Sequence, residues 1–145
     1  MKNDALTSPV ETIKSRCLAV RIRLLNRTIT KIFNEALRPL GVKVNQLNVL
    51  MVVAKHEPIS PGDVSRRLNM EKSTMSRNID RMRTRGWLNV SDGHSPRTQI
   101  LKLSSAGRKM IERSLPFWEK AQAKTESMLG QQGARSIHRM ANTLP

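Results

Sequence analysis

A chain of 145 residues has room for one domain and can bury roughly 68–70% of the surface its unfolded form exposes, so it can hold a core without covalent staples. Its 26 Lys and Arg against 11 Asp and Glu leave a net charge of +15, which points to a polyanionic partner. The single cysteine, Cys17, excludes an intramolecular disulfide framework and a multi-thiolate metal site, and makes a reducing compartment the expectation.

In chain order, residues 1–11 contain neither an apolar h-region nor a small-residue cleavage pattern, and no secretory signal is expected. Ser8-Pro9-Val10-Glu11 has the form of a capping box with proline at the first helical position. It predicts one helix from Ser8 to about Leu37, closed by Pro39 and Gly41. Ile13, Cys17, Val20 and Leu24, with Leu18, Ile22, Leu25, Ile29, Ile32 and Phe33 beside them, form a wide apolar band. Arg16, Arg21, Arg23 and Arg27 interrupt it, so burial on two sides is expected, one of them against a partner chain.

A second helix is predicted over Val44–Lys55, with Leu47, Leu50, Met51 and Ala54 at core spacing and Glu57-Pro58 ending it. Ser60-Pro61-Gly62-Asp63 starts a short helix that ends near Leu68, and another helix follows from about Glu71 to Arg85, stopped by Gly86. Two strands, Trp87–Val90 and Gln99–Leu103, flank a tip rich in turn formers. A long helix resumes at Ser104 with Ile111, Leu115 and Trp118 at helical spacing and a kink expected at Pro116. Gly130 and Gly133 should separate a last helix carrying Ile137 and Met140. No apolar run approaches the roughly 20 residues that span a bilayer, so no membrane partner and a cytoplasmic location are expected.

The order helix, tight turn, helix, hairpin over Ser60–Leu103 is that of a winged helix-turn-helix, whose second helix enters the major groove of DNA. At about 100° per residue, Met75, Ile79 and Met82 share one face of that second helix, while Ser73, Arg77, Asp80, Arg81 and Thr84 occupy the other, flanked by Thr74 and Ser76. Arginine can pair bidentately with guanine, and short hydroxyl side chains reach bases or phosphates. From Arg66 to Arg85 the basic residues are Arg66, Arg67, Lys72, Arg77, Arg81, Arg83 and Arg85, against Glu71 and Asp80. A solvated charged face explains these charges but not the order of elements around them. Among polyanions, single-stranded nucleic acid is disfavoured: there is no tyrosine, and only Phe33, Phe117, Trp87 and Trp118 are available to stack bases. Duplex DNA leads. The alternatives are an architectural DNA-binding protein or an RNA-binding basic protein without sequence specificity.

The segment Glu71–Trp87 resembles the recognition helix and first strand of the MarR (multiple antibiotic resistance regulator) family. Ala36–Val42 with Gln46 and Leu47 is similar to that family's junction between its first two helices, and Leu103–Gly107 to the start of its long dimerisation helix. The resemblance implies a mainly α fold made of a single MarR-like domain over 1–145. Within it, a winged helix-turn-helix lobe spans 44–103, and dimerisation helices span 8–40 and 104–145. It implies a homodimer on a pseudo-palindromic operator in double-stranded DNA, acting most simply as a repressor released by a small anionic or phenolic effector. Ser73, Thr74, Ser76, Arg77 and Arg81 would face the major groove and Arg97 the minor, while Lys72 and Arg66 are expected at phosphates.

Several positions depart from the family pattern or invite a second role. The wing reads Ser95-Pro96-Arg97 where the family often has Asp-x-Arg, and Pro96 is expected to stiffen the tip in place of the acid. Lys43 stands where a helix-capping threonine is common. Cys17 lies near the position of the reactive cysteine in the family's hydroperoxide sensors, which also use tyrosines that this chain lacks. Its expected role is therefore that of a core residue. Arg16 and Arg23 are candidates to meet an anionic effector. His56, His94 and His138 show no metal-ligand spacing, and neither a phosphate loop nor a nucleophile elbow is present, so neither an enzyme nor a bound cofactor is expected.

Overall fold

A computed structural model of the protein describes residues 4–95 and 97–144, with side chains from residue 8 onward. Pro96, expected to stiffen the wing, lies outside the described residues, as do residues 1–3 of the segment read for a secretory signal. The elements run α1 (Asp4–Arg16), α2 (Leu18–Leu37), a 3-10 turn (Arg38–Leu40), α3 (Val44–His56), α4 (Pro61–Leu68), α5 (Lys72–Thr84), β1 (Leu88–Asp92), β2 (Gln99–Leu103) and α6 (Ser105–Ala141). This is the mainly helical winged-helix arrangement expected from the sequence.

The first expected helix is two. Cys17 takes an extended conformation, with φ −67° and ψ 108°, and α2 starts at Leu18. The break strands carbonyls at the end of α1 and at Cys17, and the Arg21 guanidinium takes them: Nη2 donates to Ser15 O at 2.8 Å and Nη1 to Cys17 O at 3.0 Å. A basic side chain at a helix C-terminus satisfies exposed carbonyls in this way. Helix α1 also begins at Asp4, so Ser8 is not its cap and Pro9 lies inside it. Cys17 is half-exposed at this break and is not part of the core cluster, contrary to the expectation of a core cysteine.

The lobe core is built from one face of each short element. Leu47, Val49, Leu50 and Val53 of α3, Val64 of α4, Met75, Ile79 and Met82 of α5, and Leu101 and Leu103 of β2 are all buried. Ser60 caps α4 as expected, its Oγ accepting from Asp63 N at 3.1 Å, and Asn69 closes that helix in the left-handed region at φ 48°. Gly86, at φ 76°, ends the stretch after α5 and lets Trp87 turn back, its N–H donating to Met82 O at 2.9 Å. Trp87 is therefore the hinge before β1 rather than its first residue.

The wing is antiparallel, with Leu88 opposite Leu103, Val90 opposite Leu101 and Asp92 opposite Gln99. Sequence patterning missed a third partner: Ile59 exchanges both backbone hydrogen bonds with Leu101, at 3.2 and 2.8 Å, so the α3–α4 connection acts as a one-residue strand on the wing's free side. Gly107 is needed where α6 starts. A Cβ there would collide with the Trp87 carbonyl, while its N–H takes the Ser104 Oγ cap at 3.0 Å.

Helix α6 returns along α2, with Phe33 against Trp118 at a ring-centroid distance of 6.3 Å. Helix α6 runs through Pro116 with no non-helical dihedrals at that position. Pro116 is exposed, so water can serve the one carbonyl its ring deprives of a donor. The break falls instead at Gly130, at φ 73° and ψ 162°, as the glycine pattern suggested, while Gly133 stays helical. No helix among the described residues is long and apolar enough to cross a membrane.

One side chain ties α3, the wing and α6 together. The Glu57 carboxylate accepts from Leu103 N at 2.6 Å and from the Arg108 guanidinium. The Leu103 N–H, and secondarily Arg108, hold its pKa below the ordinary glutamate value against the opposing effect of burial. A carboxylate with a lowered folded pKa stabilises the fold above its unfolded pKa, and that contribution is lost as pH falls through the folded value. Glu57→Gln keeps an acceptor for Leu103 but loses the charge, and hydrogen bonds to charged groups exceed neutral ones by about 1 kcal/mol. Thermal unfolding should show Glu57→Gln less stable by about that amount at pH 7, with the gap closing as the solution is acidified below pH 4. A gap of constant size down to pH 2 would contradict the role of the charge.

Candidate nucleic-acid interface

Helix α5 has two faces because its sequence does. Met75, Asn78, Ile79 and Met82 are buried, and Asn78 Nδ2 reaches Met70 Sδ at 3.8 Å, so the one polar group on the inner face has a partner. Ser73, Ser76, Arg77, Asp80, Arg81 and Thr84 are exposed, with Thr74 half-buried at the edge. Lys72 opens the helix and is exposed beside Ser76, along a cleft that also takes in Pro61 and Gly62 at the start of α4. Six of the expected contact residues (Lys72, Ser73, Thr74, Ser76, Arg77 and Arg81) thus lie on this one helix.

The remaining two come from neighbouring elements. Arg66, on α4, is not a free cation: its guanidinium pairs with Asp63. Arg97 is exposed at the wing tip and lines a small groove with Ser60, Pro61, Gly62, Thr98 and Gln99. The tip lacks the acid common in the family. It is closed instead by Ser95 Oγ and Thr98 Oγ1 at 2.9 Å and by Thr98 N donating to Ser95 O at 3.0 Å. Among the described residues, Arg77 and Arg81 form no ion pair, whereas Arg83 is paired with Asp80 at 3.6 Å.

Positions not assigned to the DNA contact from the sequence complete the surroundings of α5. Lys43 cannot accept a hydrogen bond as a threonine would, and the start of α3 is secured without it. Gln46 Oε1 accepts from Lys43 N at 3.0 Å, and Asn34 Oδ1, from α2, accepts from Val44 N at 2.9 Å. The Arg85 guanidinium donates to Gly41 O and stands 4.9 Å from the Trp87 ring centroid. Arg85 reads in sequence as one more basic residue, and only its long-range partner distinguishes it.

Cys17, Arg16 and Arg23 lie on the α1–α2 arm, away from this face in the fold. A groove of about 1040 Å³ runs between α2 and the Arg38–Asn45 segment. Arg27, Lys31, Arg38 and Lys43 line it, but Arg16 and Arg23 do not. No group of three or more His, Cys, Asp or Glu among the described residues could hold a metal ion.

Comparison with known proteins decides the kinship. The sequence pattern described as the MarR family matches residues 40–95, from the end of the 3-10 turn to the wing tip. The chain is 30% identical over 98 residues to the uncharacterised HTH-type transcriptional regulator YwoH of Bacillus subtilis, covering 68% of this chain and 72% of that protein. It belongs to the MarR family. This MarR-family chain is also 25% identical over 92 residues to the multiple antibiotic resistance protein MarR of Escherichia coli, covering 63% of this chain and 64% of that one. The crystal structure of the M. tuberculosis transcriptional regulator MosR in complex with DNA superposes with a TM-score of 0.76 at 26% identity, over 88% of this chain and 92% of that one.

The electrostatics at the start of α4 can be tested directly. The Ser60 hydroxyl, ahead of Arg66, holds the Asp63 carboxyl below the usual aspartate pKa. Ser60→Ala should move that pKa back toward the ordinary value in an NMR titration, and loss of the cap should cost about 1 kcal/mol in unfolding. An unmoved Asp63 pKa would mean that the hydroxyl has no hold on it.

Proposed function

We propose that this chain is a sequence-specific double-stranded DNA-binding transcriptional regulator, working in the cytoplasm as a homodimer on a pseudo-palindromic operator. The observation that carries the reading is the outer face of α5, where Ser73, Arg77 and Arg81, flanked by Ser76, are exposed across from a buried Met75–Ile79–Met82 stripe. A helix held by one face and offering arginine and hydroxyl groups on the other suits a major groove. Arg77, near the middle of that face, is assigned to base reading, and Arg81, Ser73, Thr74 and Ser76 to the groove and its edges. Lys72 and Arg66 are assigned to phosphates. Arg97 is assigned to the minor groove, where an arginine responds to width and potential more than to base identity.

The division of labour follows the solvent exposure. Most of the core cluster comes from the lobe over 44–103, with Leu37, Val42 and Met110 joining it from the flanking segments. In contrast, Ile13, Leu18, Val20, Ile22 and Leu24 of the arm, together with Ile137 and Met140 late in α6, remain exposed in a single chain. A patch of this kind on helices at both ends of the chain supports 8–40 and 104–145 as dimerisation arms. Repression is the simplest output of a dimer that occupies its operator, and a small anionic or phenolic effector would release it. The 1040 Å³ groove supports such a ligand, with Arg27 and Arg38 rather than Arg16 and Arg23 as its cationic lining. No catalytic step enters this reading.

Three measurements test it. Light scattering at micromolar concentration should give twice the 16.4 kDa chain mass, and a monomer would remove the arms' role. Sequencing duplexes selected by the purified protein should yield a palindromic consensus, whereas an unstructured pool would favour an architectural protein. On the selected operator, Arg77→Ala should cost about 1–3 kcal/mol and relax preference at one position per half-site. Arg97→Ala should weaken operator and scrambled duplexes by similar factors. Equal losses on both duplexes for Arg77→Ala would reassign it to phosphate.

A further inference from the structure

Arg77, Arg81 and Thr84 stand at i, i+4 and i+7 on α5 and so share one stripe. At 1.5 Å per residue, Arg81 and Thr84 lie about 6 and 10.5 Å further along the axis than Arg77. The major groove is about 12 Å wide. With α5 laid across the groove and Arg77 near its middle, the last turn of α5 arrives at the sugar-phosphate wall and not at base edges. An open groove of about 460 Å³ lies there, lined by Arg81 and Thr84 of α5, by Arg85 just after it, and by Gly41, Lys43 and Gln46 from the turn before α3 and its first residues. Asp80, its only acid, is engaged by Arg83 at 3.6 Å. Lys43 and Arg81 are exposed, and among the described residues neither forms an ion pair.

What sets these two cations on one groove is a link 44 residues long in sequence. The Arg85 guanidinium donates to the Gly41 carbonyl and rests on the Trp87 ring. Gly41 adopts φ +68°, and a Cβ there would press on Arg85 Nη1 at 3.2 Å, so the turn is shaped to receive that side chain. Lys43, two residues on, cannot cap α3 with its ammonium, and the N–H groups of Lys43 and Val44 are taken by Gln46 and Asn34. Its ammonium is free to act elsewhere.

We infer that Lys43 is a duplex-phosphate contact outside the recognition helix, placed beside Arg81 by Arg85, which serves as a positioning residue. The inference rests on the DNA-binding reading and extends its footprint onto the start of α3. The partner is the phosphate backbone of double-stranded DNA, so the contact adds affinity without base preference. Log affinity falls with log salt by about 0.9 per neutralised phosphate. Lys43→Ala in both protomers of a dimer should therefore make the slope shallower by about 1.8, for operator and scrambled duplexes alike. Lys43→Arg should restore it. In an Arg85→Ala background, Lys43→Ala should change the slope by less than half as much. If Arg85→Ala lowers the thermal unfolding midpoint markedly, Arg85→Lys replaces it, since it keeps the charge but lacks the fork that reaches Gly41.

The unaltered chain supplies the reference. If it shows no salt-dependent duplex binding, the DNA-binding reading fails and this inference fails with it. If it binds and Lys43→Ala leaves the slope unchanged, the inference alone is overturned. If Lys43→Ala acts fully in both backgrounds, Lys43 stands as a contact and the positioning role of Arg85 is refuted.

Discussion

Burial of the Met75–Ile79–Met82 stripe is the constraint on which the rest of this molecule depends. Helix α5 is 13 residues long and rich in charge, and it would not persist alone in water. Its order comes from these side chains filling the space against α4, β1 and the rest of the lobe core. Full burial of each side chain is worth about 1.5–3 kcal/mol, far more than any of the exposed i,i+3 ion pairs beside it, which contribute about 0–1 kcal/mol. The functional face is therefore outward because the other face must be inward, and its arginines need no structural partner to hold the helix in place.

Polar ties then set how that helix sits relative to the rest of the chain. Asn34 joins α2 to the first turn of α3, Arg85 joins the end of α5 to the Gly41 turn, and Glu57 joins the end of α3 to β2 and α6. Each joins elements that are separate in sequence, and each answers a backbone group that would otherwise lack a partner. Together they bind the lobe to both arms. The apolar core reinforces these ties, since Leu37 of α2 and Met110 of α6 are buried in the same cluster as the lobe.

The arms are the part of the chain that one copy leaves unfinished. Isoleucines, leucines and valines along α1 and α2, and apolar residues late in α6, face solvent here, although α2 and α6 pack together through Phe33 and Trp118. The wide apolar band read from the sequence is thus divided into a covered strip and an uncovered one. The proposed homodimer would cover this strip, in keeping with the rarity of large exposed apolar patches on solitary chains.

Local patterns carried much of this in the linear sequence: the Ser60 cap, the Gly86 and Gly130 stops, the two faces of α5 and the alternation of β2 each depend on neighbours a few residues away. The resemblance of Glu71–Trp87 to the MarR family likewise rests on contiguous residues. Tertiary structure decided what depends on distant partners. The break at Cys17 and the early start of α1 overrode a good capping box. Pro116 kept helical dihedrals, and water can serve the carbonyl four residues earlier, at exposed Glu112, that its ring deprives of a donor. Ile59 became a strand residue only because Leu101 arrived beside it, and Arg85 and Lys43 gained their positions only through Gly41. The physical reason is the reach of each interaction. Propensity and periodicity act within a turn or two of helix, whereas a hydrogen bond across 44 residues exists only after the chain has closed the loop between its ends.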